Sequence, residues 1–356
     1  LLLKSKNVED IAGVISHEIG HIIGGHFQKR QKKMEKTSVI NILSSILAVG
    51  VIAGGAYDAG SAILMGGQHL SSSRMLAFSR SQESLADQTA IRLLKRNGFS
   101  LQGLINIFGE IQKSEKLRKI NPYFLTHPLS TERIRNIKIN FENQKIKKYI
   151  KLNNRFKLAK AKLNGFFLNK EQIEYLYPKL INLESLYAHA LHNYRIGKIN
   201  VAMKYIDKCI QKDEKNPYFH ELKGQMYYES GNFQNAIESF FISKSILPNE
   251  KGIELFLAKS LYHSNTRDNQ EKSIQLLLKY VKKDEFPIEA WHYLGLNYAK
   301  LKKLDYSSYA FAEKYLLTGK VESAKIHLNR ATKITKDPVL KKKLSDLKYE
   351  MKRRKK

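Results

Sequence analysis

A chain of 356 residues with 42% hydrophobic content, 7 prolines and 20 glycines is long enough for two cores. It is too apolar, and too poor in breakers, to be disordered. Its 62 Lys and Arg against 33 Asp and Glu give a formal charge of +29, which fits a nucleic-acid binder, a protein working against an anionic membrane, or lysine-rich codon usage. The accompanying Ile and Asn favour codon usage, no aromatic-plus-basic motif appears, and no nucleic-acid partner is expected. The single cysteine, Cys209, excludes an internal disulfide. Set among apolar helical positions, it reads as a small buried thiol rather than a nucleophile.

The chain opens Leu1-Leu2-Leu3-Lys4 with no methionine and no secretory apolar region, so the expectation is that an N-terminal portion is missing or that the gene starts internally. Val8 to about Gln31 is predicted as a helix with Ile11, Val14, Ile15, Ile19 and Ile22 on its apolar face. Ser38 to Ala56 is uncharged and mostly apolar and, with Tyr57, reaches the length of a membrane span. It reads as a bilayer-inserted segment, a buried hairpin of helices or a lid over the site. The glycines at 50, 54, 55, 60, 66 and 67 and the charge of Asp58 favour a membrane-contacting or site-covering loop over residues 38–67. Helices are then predicted over Ser81–Arg96, stopped by Asn97-Gly98, and from Leu101 to about Lys113. Thr126-His127-Pro128-Leu129-Ser130 is a loop entering a helix around Glu132 to Ile139. Residues 145–162 are basic with interspersed apolar positions and read as a linker helix or a cationic surface face, the solvated face being favoured.

From about Asn182 the sequence repeats. Gly197 and Gly231 lie 34 residues apart, as do Ala202 and Ala236, which is the period of a tetratricopeptide helix pair. Asn216-Pro217 and Leu247-Pro248 mark junctions. A weaker third unit over about 250–283 is read with an insert at Ser264–Gln270. Trp291, Leu294, Gly295 and Tyr298 complete the W-x2-L-G-x2-Y signature, Ala310 follows in the second helix, and Gly319 and Ala324 open a further one. One such pair cannot bury its apolar face alone, so about four stacked pairs form a solenoid with a concave groove. The basic tail from Lys352 is expected to be solvated.

The chemistry lies near the start. His17-Glu18-Ile19-Gly20-His21 is an H-E-x-x-H pattern. On a helix its two imidazoles share one face and can hold one metal ion, with Glu18 placed to take a proton from water at the open position. A catalytic zinc needs a third protein ligand. Glu83 supplies it within Glu83-Ser84-Leu85-Ala86-Asp87, and Asp87, one turn on, can accept a hydrogen bond from the free nitrogen of a ligating histidine. The oxyanion of a tetrahedral intermediate needs a donor besides the metal, for which His127 and Arg133 are candidates. His26 and His69 match no ligand position and read as surface or packing residues.

Together, His17-Glu18-x-x-His21, Glu83-x-x-x-Asp87 and Thr126-His127-Pro128 with Arg133-Ile134 resemble the gluzincin metallopeptidase family of the CAAX prenyl and HtpX proteases. The repeat array narrows the resemblance, from residue 1 to about 335, to members that act in the periplasm on outer-membrane proteins. The resemblance implies one zinc ion per chain held by His17, His21 and Glu83, with Glu18 as the base. It also implies that His127 sits on a loop able to supply a fourth ligand and hold the enzyme latent, with Arg133 structuring that loop or facing the site. Family members carry a signal peptide and substrate-binding strands ahead of the metal helix, and the expectation is that these belong to the missing N-terminal portion.

The expected fold is mainly α: a helical zinc-metallopeptidase domain, its N-terminal part missing, followed by a tetratricopeptide-repeat α-solenoid. The expected boundaries are 1–145 for the peptidase, 146–181 for a basic linker, 182–335 for the repeats and 336–356 for a basic helix or tail. The expected function is zinc-dependent endopeptidase action on unfolded or misassembled outer-membrane proteins, in the periplasm and in association with the membrane. The repeats would hold substrate or the assembly machinery. The alternative is a catalytically impaired homologue serving as an interaction module or chaperone.

Overall fold

The computed structural model describes residues 4–26, 80–116, 131–141, 146–284 and 286–353. All regular structure among them is helical, with no strand, and the chain divides into two compact units, residues 1–160 and 161–356. Residues 38–67, together with His69 and His127, lie outside the described residues. No helix among the described residues is long and apolar enough to cross a membrane.

The first unit contains α1 (Val8–Ile23), α2 (residues 80–97), α3 (Gln102–Lys116), α4 (Thr131–Phe141) and the beginning of α5 (Ile150–Phe167). Asn7 caps α1 by accepting from the Asp10 amide, and Glu9 and Asp10 complement the helix dipole in its first turn. The helix stops at Ile23 rather than near Gln31, because Gly24 caps it and Gly25, at φ +60°, turns the chain. The buried face also differs from the isoleucine stripe. Val8, Asp10, Gly13, Val14, His17 and Gly20 point inward, while Ile15, Ile19 and Ile22 are exposed. Glycine lets neighbouring helices come within backbone contact, and that close approach, rather than side-chain bulk, selects the face. Val14 joins Ala90, Ile91 and Leu94 of α2, Leu104, Ile107 and Phe108 of α3, and Ile137 of α4 in one core. Asn97-Gly98 ends α2 as expected: Gly98 sits at φ +75°, and Phe99 N–H bonds to Leu94 C=O at 2.9 Å.

The second unit, after the end of α5 and the short α6 (Lys170–Leu176), stacks helix pairs. These are α7 (Leu183–Arg195) with α8 (Ile199–Lys212), α9 (Pro217–Glu229) with α10 (Phe233–Ile246), α11 (Lys251–His263) with α12 (Arg267–Val281), and α13 (Ile288–Lys300) with α14 (Leu304–Leu317). α15 (Val321–Ile334) and α16 (Pro338–Arg353) follow. Each pair turns on a residue with positive φ: Gly197, Gly231, Asn265 and Lys302. Asn265 keeps the 34-residue register, so no insert lies at 264–270, where α12 instead begins. The extra residues fall at 282–287, ahead of α13. Within a pair, a small residue faces a large one. A Cβ on Gly224 would sit 2.9 Å from the Phe240 ring, and one on Gly295 would sit 2.8 Å from Phe311. Within residues 336–356, expected as a basic helix or tail, Pro338–Arg353 is helical, and Lys352 and Arg353 are exposed. Leu340, Leu344, Leu347 and Met351 recur at helical spacing and close the last apolar face with Tyr309, Leu316 and Leu328. Cys209 is buried, and burial pushes its thiol up to about 12, which keeps it protonated and inert.

Candidate metal centre

α1 and α2 meet where Gly20 faces Ala86: a Cβ on Gly20 would stand 2.7 Å from the Ala86 Cα and carbonyl oxygen. That contact sits between His17 and His21 on one helix and between Glu83 and Asp87 on the other, so a close approach of the two backbones coincides with the ligands. His17 Nε2 lies 3.0 Å from His21 Nε2, and each Nε2 lies 3.3 Å from a different carboxylate oxygen of Glu83. A tetrahedral ion with bonds of about 2.0–2.1 Å requires ligand atoms roughly 3.3 Å apart. The three side chains converge on a scale close to that spacing, the two imidazoles approaching different oxygens of Glu83, and they form a group able to hold a metal ion. His17, Glu83 and Asp87 are almost wholly buried, while His21 is partly open. That leaves an accessible side for a fourth position.

The outer layer is equally specific. His17 Nδ1 lies 2.9 Å from Asp87 Oδ1, the arrangement expected of a carboxylate that orients a ligating imidazole and turns its Nε2 towards the ion. Arg133, on α4, donates from Nε and Nη2 to the two Asp87 oxygens at 2.6 and 2.9 Å, and its Nη1 lies 2.9 Å from Glu83 Oε2. Its guanidinium rests 4.7 Å above the Phe108 ring. Arg133 is buried, and its fork is turned onto the two acids. The geometry favours the orienting of Glu83 and Asp87 over the donation to an oxyanion named in the sequence reading. Burial disfavours a charged His17, but the hydrogen bonds and charges of Asp87 and Glu83 outweigh it and raise this imidazole to about 9. Without a metal, a proton on His17 takes over the role of balancing the two carboxylates. Glu18 projects from α1 next to His17 and is partly exposed.

One further histidine stands beside these residues. His26, assigned to surface or packing, is buried, and its Nδ1 lies 2.9 Å from His21 Nδ1. The signal was present as Gly24-Gly25 immediately before it, where the helix ends and Gly25 takes a positive φ.

The geometry is matched by relationship. Residues 1–140 match the model of peptidase family M48. Over 329 residues the chain is 22% identical to the beta-barrel assembly-enhancing protease of Escherichia coli, covering 90% of this chain and 66% of that relative. It is 31% identical over 147 residues to the E. coli metalloprotease YcaL, covering 38% of this chain and 51% of the relative. The chain thus spans just under two thirds of the first relative's length and about half of the second's. Among solved structures, yeast Tom70 shares 16% identity at a TM-score of 0.43, over 82% of this chain and 63% of that one, a likeness too low to argue from.

Proposed function

We propose that the chain is a zinc-dependent endopeptidase of the gluzincin type, acting in the periplasm on unfolded or misassembled outer-membrane proteins. The observation that carries this reading is the convergence of His17 Nε2 and His21 Nε2, 3.0 Å apart, on the Glu83 carboxylate, one oxygen 3.3 Å from each, within the residues that match a peptidase family. Bound zinc would supply Lewis acidity, polarising the scissile carbonyl and lowering the pKa of water. Glu18, held next to His17 on a rigid helix, takes the proton of the attacking water and returns it to the leaving amine. Asp87 keeps the His17 proton on Nδ1, and Arg133 restrains both acids so that Glu83 presents its oxygens inward. The repeats would hold an extended or unfolded partner, and the similarity to the assembly-enhancing protease supports an outer-membrane client.

The test is cleavage of an unfolded β-barrel protein by the zinc-loaded chain. Glu18→Gln should abolish turnover and leave zinc stoichiometry at one. Turnover that survives the change refutes Glu18 as the base. Partner binding without turnover by the wild type would favour the interaction-module alternative.

A further inference from the structure

We propose that His26 is a positioning residue of the metal centre. Its Nδ1 accepts the Nδ1 proton of His21 and thereby fixes the tautomer and ring plane that aim His21 Nε2 at the ion. This rests on the reading of His17, His21 and Glu83 as metal ligands.

The two ligating imidazoles pose the same physical requirement. Each must keep its proton on Nδ1 so that the Nε2 lone pair faces inward, and a second group must hold that proton in place. For His17 the group is the Asp87 carboxylate. For His21 it is an imidazole: the two Nδ1 atoms lie 2.9 Å apart, with the rings edge to face at 82° and centroids 4.9 Å apart. One of the two nitrogens must carry the proton. When His21 ligates through Nε2, the proton sits on its Nδ1, and His26 carries its own on Nε2 and offers Nδ1 as acceptor.

The local backbone is arranged to deliver that ring. Gly25, just past the end of α1, takes φ +60°, a left-handed conformation that glycine adopts without strain. Gly24 has an ordinary helical backbone, φ −68° and ψ −11°, which any residue could adopt. A Cβ there, however, would fall 2.1 Å from His26 Nε2 and 2.5 Å from its Cδ2. Position 24 is therefore emptied to make room for the imidazole, not to permit the turn. The His26 carbonyl accepts a buried hydrogen bond from Gln82 Nε2 at 3.1 Å, which fastens the turn to the helix that carries Glu83. The side chain is itself almost completely buried, so ring, turn and ligand helix are held as one unit.

The experiment compares His26→Phe, His26→Gln and Gly24→Ala in the full chain. It measures zinc affinity by competition with a chromophoric chelator, the visible spectrum of the cobalt-substituted protein, and the metal-free melting temperature. Phenylalanine at position 26 keeps a ring but offers no acceptor, and glutamine there offers a carbonyl oxygen. Gly24→Ala displaces the ring while keeping the imidazole. His26→Phe and Gly24→Ala should each bind zinc about 10–100-fold more weakly and shift the cobalt bands, while His26→Gln recovers most of the loss. Wild-type affinity and an unchanged cobalt spectrum in His26→Phe overturn the proposal, as does equal weakening by His26→Phe and His26→Gln. If His26→Phe fails to fold, Gly24→Ala decides by the same two readouts. A wild-type chain that binds no zinc, or a Glu83→Ala chain that binds it as tightly, overturns the metal-centre reading itself.

Discussion

Replacing Gly20 by alanine tests whether the approach of α1 to α2 sets the metal geometry. The added Cβ would meet Ala86 backbone atoms at 2.7 Å, and backbone cannot swing aside as a flexible side chain can. The helices must part by roughly 0.7 Å to restore an ordinary contact. Two stability terms then oppose each other. Overpacking costs about 1–3 kcal/mol, while alanine over glycine in a helix interior contributes about 0.8–1.0 kcal/mol of stabilisation. The melting temperature is therefore a weak discriminator. The ligands are a strong one, because a metal site tolerates only about 0.2 Å of error in its distances, and the parting occurs at the level of His17, His21 and Glu83. Zinc affinity in Gly20→Ala should fall on the order of tenfold or more, by chelator competition at fixed pH. Gly109→Ala on α3 is the control, since a Cβ there meets nothing within 4 Å. It should gain about 1 kcal/mol from helix propensity alone and bind zinc as the wild type does. Gly20→Ala binding zinc within twofold of wild type would refute the reasoning.

Two further outcomes follow from the charges around the site. His17, faced by Asp87, Glu83, Arg133 and His21, has its metal-free pKa raised to about 9 from 6.5. Its contribution to metal-free stability is therefore complete below pH 6.5 and lost as pH rises through 9, by at most about 3 kcal/mol. Melting in a chelator from pH 6 to 10 should show that decline, and a flat profile refutes the shift. Zinc must displace the same proton, so its apparent affinity should instead rise by close to tenfold per pH unit up to about pH 9. Arg133→Met removes the cation that faces two buried carboxylates and should cost about 3–5 kcal/mol in urea denaturation. Arg133→Lys should restore charge but not the two-pronged contact with Asp87, and should fall between Arg133→Met and the wild type. An Arg133→Met chain within 1 kcal/mol of wild type would show that the guanidinium is not balancing these acids.

Much of this was legible in the sequence because its signals are periodic. H-E-x-x-H and E-x-x-x-D each place two groups one helical turn apart, and His17, His21, Glu83 and Asp87 do converge. The repeat period was carried by Gly197 and Gly231, and the structure continues it through Asn265. There the sequence misled, because asparagine is a less conspicuous left-handed residue than glycine. The isoleucines of α1 misled for a different reason. Ile15, Ile19 and Ile22 form a good helical stripe, yet hydropathy does not register how near a neighbouring backbone can come, and the glycine face won. His26 was invisible to motif spacing because it lies past the end of the helix, after Gly24 and the positive φ of Gly25, and not on the helical period. Arg133 was identified as functional, but only the tertiary contact reveals that its fork is turned to Asp87 and Glu83.

These exceptions share one cause. Gly13, Gly20 and Gly24 lie on the side of α1 that carries His17, and each leaves space for a different neighbour: Leu104 of α3, Ala86 of α2 and the ring of His26. A ligand motif specifies which atoms can bind a metal, but says nothing of how closely the supporting elements stand. Here the sub-ångström part of the problem is assigned to residues with no side chain. That division explains why a motif search finds the ligands while the residues that set their separations pass unnoticed. It also locates the sensitive positions of this centre at Gly20 and Gly24, which carry no chemistry of their own, as well as at the histidines.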